Sequence, residues 1–158
     1  MRLHCDEMLR GLARWLRAAG HDATTARPGE ADALVLAQAG AAGRALLTRD
    51  RGLMRHRAAA GLAVLLEGPT LDAQAAELRE RLAVDWLHAP FSRCLVCNVP
   101  LRDAAPDLHD RLPLSASPLP GPLWECPSCG RLYWPGSHVR RMRHRLEGWA
   151  RGVHGSSG

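Results

Sequence analysis

Acidic residues in the first half of the chain stand where predicted strands end and a predicted helix begins. Asp6 follows the strand-like start RLHC, and Asp50 follows the buried run RALLT. Asp32, with Glu30 as an alternative, lies at the start of the predicted helix EADALVLAQAGAAG. Carboxylates that meet in one cleft repel each other unless a cation lies between them. Their oxygens suit Mg(II) or Mn(II), and such a site can activate water and stabilise a phosphate during hydrolysis.

Each of these acids also has an ordinary structural interpretation. Asp6 and Asp50 could each be only the N-cap of the helix that follows. Glu30 and Asp32 are residues that helix starts favour, because negative charge is stabilised there. Spacing alone does not decide between capping and metal binding.

Arginines accompany the acids. All 21 basic residues are Arg, and the formal net charge is +5. Candidate contacts to a phosphate backbone are Arg10, Arg14, Arg17, Arg49 and Arg51. The first three recur at helical spacing and predict one basic stripe, while the other two flank Asp50. Such a track can hold RNA phosphates beside an acidic pocket, although a solvated helix face or simple charge balance would produce the same pattern.

Two C-x-x-C pairs stand in the second half of the chain. Cys94 and Cys97 lie in RCLVCN, and Cys126 and Cys129 lie in ECPSCG. Four thiolates at this spacing close a tetrahedron around Zn(II), which predicts a structural zinc site. A redox pair or an iron–sulfur cluster is the alternative. A redox C-x-x-C normally follows a strand and opens a helix, and neither pair does so.

The elements that carry the acids alternate between strand and helix. The predicted strands are RLHC, DATTAR, RALLT and LAVLLEG, and between them lie helical patterns, including a short helix DRGLMRHRAAAG. This order predicts an α/β fold, with a parallel sheet flanked by helices, over residues 1–84. Ligands of such sheets bind beyond the carboxyl ends of the strands, where Asp6 and Asp50 are expected.

Residues 91–152 follow a different pattern. Residues 91–135 are rich in proline, include the run PLSASPLPGP and show no helical period, so we expect a small zinc-ribbon lobe held together by its metal. A basic C-terminal helix follows, N-capped by Ser137. Its apolar stripe is predicted to be Val139, Met142, Leu146 and Trp149. We therefore predict two domains, 1–84 and 91–152.

Bulk composition narrows the class of protein. With 46% hydrophobic and 23% charged residues the chain can bury a core. It contains no apolar run of about 18 residues and no signal-peptide pattern at MRLHCDEML, so we expect a cytoplasmic protein. Glycine-rich phosphate loops, dinucleotide fingerprints and Ser-His-Asp patterns are absent from the sequence. Nothing indicates the oligomeric state.

Four stretches of the chain resemble a single family: DEMLRGLARWLRAAGHDA, DALVLAQAGAAGRALLTRDRGL, RCLVCN and CPSCGRLYWPGSHVRRM. It is the PIN-like RNase family named after the C-terminal part of the Mut-seven exonuclease, and the resemblance covers roughly residues 2–145. It implies a PIN-like α/β domain followed by a zinc ribbon, with metal-dependent RNase activity. By position it implies Asp6, Asp32 (or Glu30) and Asp50 as the acids that hold Mg(II) or Mn(II).

PIN-type sites often have a fourth acid, and this chain shows no clear match. Glu67 and Asp72 follow the next strand without a recognisable motif. The function we predict is metal-dependent endonucleolytic hydrolysis of RNA, single-stranded or structured. The alternative is a non-catalytic RNA-binding zinc-ribbon protein in which the acids are caps, and the missing fourth acid favours it. A third reading is a toxin-like nuclease with a cognate inhibitor.

Overall fold

The first half of the chain forms a four-stranded parallel sheet. The computed structural model describes residues 1–112 and 121–153. The strands are β1 (Arg2–Cys5), β2 (Asp22–Thr25), β3 (Ala45–Thr48) and β4 (Ala63–Leu65), arranged in the order β2-β1-β3-β4. All neighbouring pairs are parallel. The predicted strands and the parallel α/β sheet are confirmed.

Helices flank this sheet. They are α1 (Arg10–Ala18), α2 (Asp32–Ala41) and α3 (Leu71–Leu82). The single short helix predicted after Asp50 is wrong, because the segment forms two 3-10 turns, Leu53–Arg55 and Arg57–Ala59. His56 between them is extended, with φ −68° and ψ 136°, which interrupts any continuous helix.

The strand order places β1 and β3 side by side at the centre of the sheet. From β1 the chain crosses to β2 on one side, and β3 then pairs on the other side. Cys5 is in register with Leu47, and the Asp6 N–H continues the ladder by donating to the Leu47 carbonyl at 2.9 Å. This arrangement is a topological switch point, where open α/β sheets have their ligand crevice.

The second lobe is a small antiparallel sheet followed by a long helix. Its strands are β5 (Arg102–Asp103), β6 (Trp124–Glu125) and β7 (Leu132–Tyr133), and the helix is α4 (Ser137–Arg151). Ser137 is the first helical residue rather than the predicted N-cap. The N-cap is Gly136, which is extended and supplies no side-chain cap. Most of the proline-rich run, at 113–120, and the last residues, at 154–158, lie outside the described residues.

One apolar core joins the two lobes. The four predicted stripe residues of α4 are buried in the same cluster as residues of β1, α1 and α3. Trp149 packs edge-to-face on Trp15 and on Trp86, with ring centroids 5.0 and 4.8 Å apart. Because α4 covers the helices of the first lobe, the division into domains 1–84 and 91–152 stays a prediction. Within the described residues, every helix is too short or too polar to span a bilayer.

Candidate active site and metal centre

Thr48 joins Asp6 and Asp50 at the carboxyl edge of the sheet. Its side chain is fully buried at the end of β3. The Thr48 hydroxyl donates to Asp6 Oδ2 at 2.7 Å and accepts from the Asp50 N–H at 3.0 Å. The two strands therefore bring both aspartates to this buried hydroxyl, which holds the carboxylate of Asp6 and the backbone N–H of Asp50.

Each aspartate also caps the turn that follows it. Asp6 Oδ1 accepts from the Glu7 N–H at 2.8 Å, and Asp50 Oδ1 accepts from the Gly52 N–H at 2.7 Å. Both side chains are half-buried. The capping interpretation therefore describes real contacts. It does not exclude a second role, because a carboxylate has several lone pairs and one cap uses only part of them.

Asp32 and Glu30 differ in what they contact. Asp32 begins α2, and its Oδ2 lies 3.6 Å from His56 Nε2, just beyond the turn that carries Asp50. Glu30 accepts from the Arg27 N–H at 2.9 Å and from Gln38 Nε2 at 2.8 Å. These two hydrogen bonds, with Arg27 first, hold the pKa of Glu30 below its usual range. Glu30 is thus engaged in closing its own turn.

The acids are not gathered as tightly as a preformed metal cage. Within residues 1–112 and 121–153, the four cysteines are the only group of three or more His, Cys, Asp or Glu whose ligand atoms all lie within 4.8 Å of one another. Glu67 follows β4 and pairs with Arg51 at 3.1 Å, so it lies beside the turn of Asp50. Asp72 instead binds α4, through Arg145 at 3.0 Å and Trp149 Nε1 at 2.7 Å.

The predicted basic stripe is only partly exposed. Arg10 and Arg14 are exposed on α1, and Arg49 and Arg51 are exposed beside Asp50. Arg17 is buried, which contradicts its expected place among exposed phosphate contacts.

The zinc-ribbon lobe explains the burial of Arg17. Its Nε donates to the Ala23 carbonyl at 2.7 Å, and its Nη1 donates to the Leu95 and Val96 carbonyls at 2.9 and 3.0 Å. Leu95 and Val96 are the two residues between the first pair of cysteines. Burial lowers the pKa of Arg17, and nearby cysteine thiols and Asp22 oppose that effect. Arg17 therefore fastens the first cysteine pair to α1 and β2.

The four cysteines of the two pairs form one compact cluster. Cys94, Cys97, Cys126 and Cys129 are free thiols whose Sγ atoms lie within 4.8 Å of one another. The Sγ atoms of Cys94 and Cys129 are 3.9 Å apart. Tetrahedral Zn(II) with Zn–S bonds of about 2.3 Å places its sulfurs about 3.8 Å apart. The donor set and its spacing therefore fit zinc, as the sequence predicts.

The two cysteine pairs have the same backbone geometry. In each pair the second cysteine's N–H points to the first sulfur, at 3.3 Å for Cys97 and 3.4 Å for Cys129. The following residue then donates to the first cysteine's carbonyl, Asn98 at 3.0 Å and Gly130 at 2.9 Å. Both have positive φ, 65° and 73°, a region that Gly and Asn tolerate better than most residues.

Tyr133 supports the cluster from behind, and sequence reasoning missed this role. Its hydroxyl lies 3.2 Å from Cys94 Sγ and accepts from the Leu95 N–H at 3.1 Å. Burial opposes ionisation of Cys94, but hydrogen bonds from Tyr133 and the backbone bring the pKa of its thiol to about 7. A hydroxyl that donates to a metal-binding thiolate orients the ligand.

Thr48 is the other residue of the candidate site that sequence reasoning missed. The signal was present, since Thr48 directly precedes the Arg-Asp-Arg element. However, only the pairing of β3 with β1 shows that its hydroxyl reaches Asp6.

Comparison with known proteins identifies the family. No curated protein and no solved structure shows a significant match to this chain. The family model described as the Mut7-C RNAse domain matches residues 1–146. That span contains the parallel sheet, the edge with Asp6 and Asp50, both cysteine pairs and the start of α4. With its four-cysteine cluster and nearly its whole length matched, this chain belongs to the Mut7-C RNase domain family.

Proposed function

We propose that the protein is a metal-dependent endoribonuclease that hydrolyses RNA phosphodiester bonds at the edge of the sheet that carries Asp6, Thr48 and Asp50. The observation that carries the proposal is the hydrogen-bonded unit of these three residues. It stands at the switch point of the sheet, in a chain of an RNase family. The match to that family supports RNA as the substrate.

The donor atoms at this edge suit Mg(II) or Mn(II). Carboxylate oxygens are hard ligands, and Mg(II) is often held by only one or two carboxylates, with water and substrate phosphate completing its shell. Asp6 and Asp50 are the first candidates, and Asp32 is the third. Glu30 is the weaker alternative, because both of its oxygens already accept hydrogen bonds. When bound, the metal supplies positive charge that lowers the pKa of a water ligand and neutralises phosphate.

The chain's own residues orient the carboxylates and bind the RNA. The Thr48 hydroxyl holds the Asp6 carboxylate, and the turn at Gly52 holds that of Asp50. Arg10, which follows Asp6 by four residues, and Arg49, next to Asp50, are exposed cations that can contact RNA phosphates. Arg14, also exposed, lies one turn further along α1 and can contact the same strand. Arg51 can do the same once it leaves Glu67, since both side chains of that pair are exposed and such pairs are weak.

A non-catalytic RNA-binding protein is the second candidate. It is favoured by two observations: Asp6 and Asp50 both act as caps, and within the described residues the carboxylates do not form a cluster of three within 4.8 Å. In that case the arginines bind RNA and no metal-dependent cleavage occurs.

Cleavage of a labelled single-stranded RNA by the Asp50→Asn variant separates these candidates. Asparagine keeps the Oδ1 acceptor for the Gly52 N–H but removes the charge that holds a metal. We expect cleavage to require added Mg(II) or Mn(II), and to fall by roughly 100-fold or more in the variant, as when a group that stabilises transition-state charge is removed. RNA binding should be unchanged or tighter.

Asp85→Asn is the matched control. Asp85 is exposed and its Oδ1 accepts from the Leu87 N–H at 2.9 Å, which is the same turn geometry away from the sheet edge. Metals are omitted rather than chelated, so that zinc stays bound. Binding without cleavage under every metal would reject the nuclease proposal in favour of the RNA-binding protein.

A further inference from the structure

A cleft lies where the zinc-ribbon lobe, α1 and the start of α4 meet. Its volume is about 400 Å³. Its apolar lining includes Leu95, Leu132 and Val139. Its polar and aromatic lining is formed by Arg14, Arg131, Trp134, His138 and Arg140. None of the described residues that line it is acidic. The cleft therefore combines cationic and apolar surface.

In the part of the chain that the structure describes, no acid pairs with the arginines of the cleft. Among the described residues, Arg14, Arg131 and Arg140 form no ion pair with a carboxylate. Arg14 Nη2 instead lies 3.3 Å from His138 Nε2, and because a guanidinium can only donate, His138 accepts. Arg140 has a long contact of 3.4 Å to the Pro135 carbonyl. Guanidinium groups that do not pair with a carboxylate are suited to binding a phosphate.

Trp134 supplies a flat surface beside these cations. It is half-buried, and Gly136 allows its indole to lie against the backbone where α4 begins. A Cβ at Gly136 would come 2.6 Å from Trp134 Nε1, so any larger residue there would displace the ring. An indole held in place over a basic cleft is a stacking surface for a nucleic acid base.

We propose that this cleft binds one nucleotide of single-stranded RNA, with the base stacked on Trp134 and its phosphate held by Arg14 and Arg140. The inference rests on the proposed function, because the RNA bound here is the substrate that is cut at Asp6 and Asp50. Arg14 is eight residues beyond Asp6, roughly 12 Å at the rise of a helix, and exposed Arg10 lies between them. A few nucleotides of one strand cover that distance, so the cleft is a holding site away from the cut.

Two neighbouring arginines of α4 provide the test. Arg140 lines the cleft, whereas Arg141 is exposed and does not, and both changes to glutamine remove one charge from the same helix. Binding of a fluorescein-labelled single-stranded RNA of about 12 nucleotides, long enough to reach from the cleft to the sheet edge, is measured by anisotropy. The protein is zinc-loaded Asp50→Asn without added Mg(II) or Mn(II). We expect Arg140→Gln to raise Kd about five- to tenfold and to reduce the salt slope by about 1. Arg141→Gln should stay within about twofold.

Trp134 provides a second, independent measurement. We expect Trp134→Ala to raise Kd about tenfold and Trp134→Phe to restore most of the affinity, because stacking needs an aromatic face. Zinc content of each variant shows that the ribbon is still folded. If the Trp134 variants lose zinc, the comparison of Arg140→Gln with Arg141→Gln alone tests the proposal.

The outcomes separate this proposal from the nuclease proposal. The proposal for the cleft is rejected if Arg140→Gln and Arg141→Gln bind RNA with equal affinity and neither changes KM when Asp50 is intact. This holds even if cleavage occurs. Arg140-dependent binding in a protein that never cleaves RNA supports the cleft and rejects the nuclease.

Discussion

At the scale of single residues, neighbouring positions of one pattern acquire different roles from their surroundings. Arg14 and Arg17 belong to the same predicted stripe, yet Arg14 is exposed at the cleft and Arg17 is buried against carbonyls. Thr48 illustrates the reverse case, since an inconspicuous hydroxyl connects both aspartates. The chemistry of a side chain is therefore decided by its partners as much as by its type.

The role of Thr48 leads to a prediction at this scale. Thr48→Val keeps the shape but removes the hydroxyl that orients Asp6 and receives the Asp50 N–H. We expect kcat for RNA cleavage to fall by about tenfold or more, with little change in RNA affinity, as for other groups that orient metal ligands. Thr48→Ser, which keeps the hydroxyl, should recover most of the rate. A Thr48→Val protein with wild-type kcat would show that the hydroxyl only stabilises the strand end.

At the scale of elements, polar contacts fasten the zinc-ribbon lobe to β2, the outer strand of the parallel sheet. Asp22 at the start of β2 accepts from Arg44 through both oxygens, at 2.7 and 3.0 Å. It also accepts from Asn98 Nδ2 at 2.7 Å, while Asn98 Oδ1 accepts from the Ala23 N–H at 3.0 Å. Asn98 directly follows the first cysteine pair, so β2 and that pair hold each other in place.

This contact predicts a dependence of stability on pH. The hydrogen bond from Arg44, opposed by burial and aided by Asn98, lowers the pKa of Asp22 from 3.8 to about 2. A lowered folded-state pKa means that the stabilisation is complete above about pH 4 and is lost as the pH falls toward 2. We expect Asp22→Asn to lower the free energy of unfolding by about 1–2 kcal/mol at pH 7.

The test compares the free energy of unfolding of the wild type with that of Asp22→Asn. Urea unfolding is measured for both proteins from pH 7 downward, over the range in which they stay folded. The difference should shrink below about pH 4, because protonated Asp22 no longer pairs with Arg44. If the difference in free energy of unfolding stays constant with pH, the substitution acts through the shape of the side chain and not through its charge.

At the scale of the whole molecule, the zinc ribbon and the α/β sheet share one core. Trp149 of α4 contacts Trp15 of α1 and also Trp86, whose indole N–H donates to the Ala75 carbonyl of α3. The buried cluster continues to Cys94 and Cys126. We expect a loop-rich lobe built around four cysteines to depend for its folding on the metal that they hold. Loss of zinc should therefore weaken more than the ribbon.

Removal of zinc is the corresponding prediction. We expect a strong chelator, or the Cys126→Ser variant, to lower Tm and to keep one transition, in which tryptophan fluorescence and far-UV circular dichroism change together. The fluorescence is informative because Trp15 of α1 and Trp149 of α4 lie at the contact between the lobes. An unchanged, separate transition of the α/β lobe would instead support two independent domains, 1–84 and 91–152.

The sequence by itself determined the features that depend on local pattern. Hydrophobic periodicity predicted the strands and the main helices, and the alternation of strand and helix predicted a parallel sheet. The spacing of the cysteines predicted their cluster, because two short C-x-x-C turns suffice to present four thiolates; the four residues are Cys94, Cys97, Cys126 and Cys129. The sequence also placed Asp6 and Asp50 at strand ends, since Asp6 directly follows its strand and Asp50 comes two residues after the last residue of its strand.

Only the tertiary structure decided which surfaces are covered and which distant groups meet. The zinc ribbon covers Arg17 and leaves Arg14 open, although both lie on one helix. The cleft lined by Trp134 and Arg140 exists because Arg14 of α1 and the two residues between the first pair of cysteines meet residues 131–140 there. Likewise, Thr48 reaches Asp6 only through the pairing of β3 with β1. Such contacts depend on long-range packing, which no periodicity within a single element encodes.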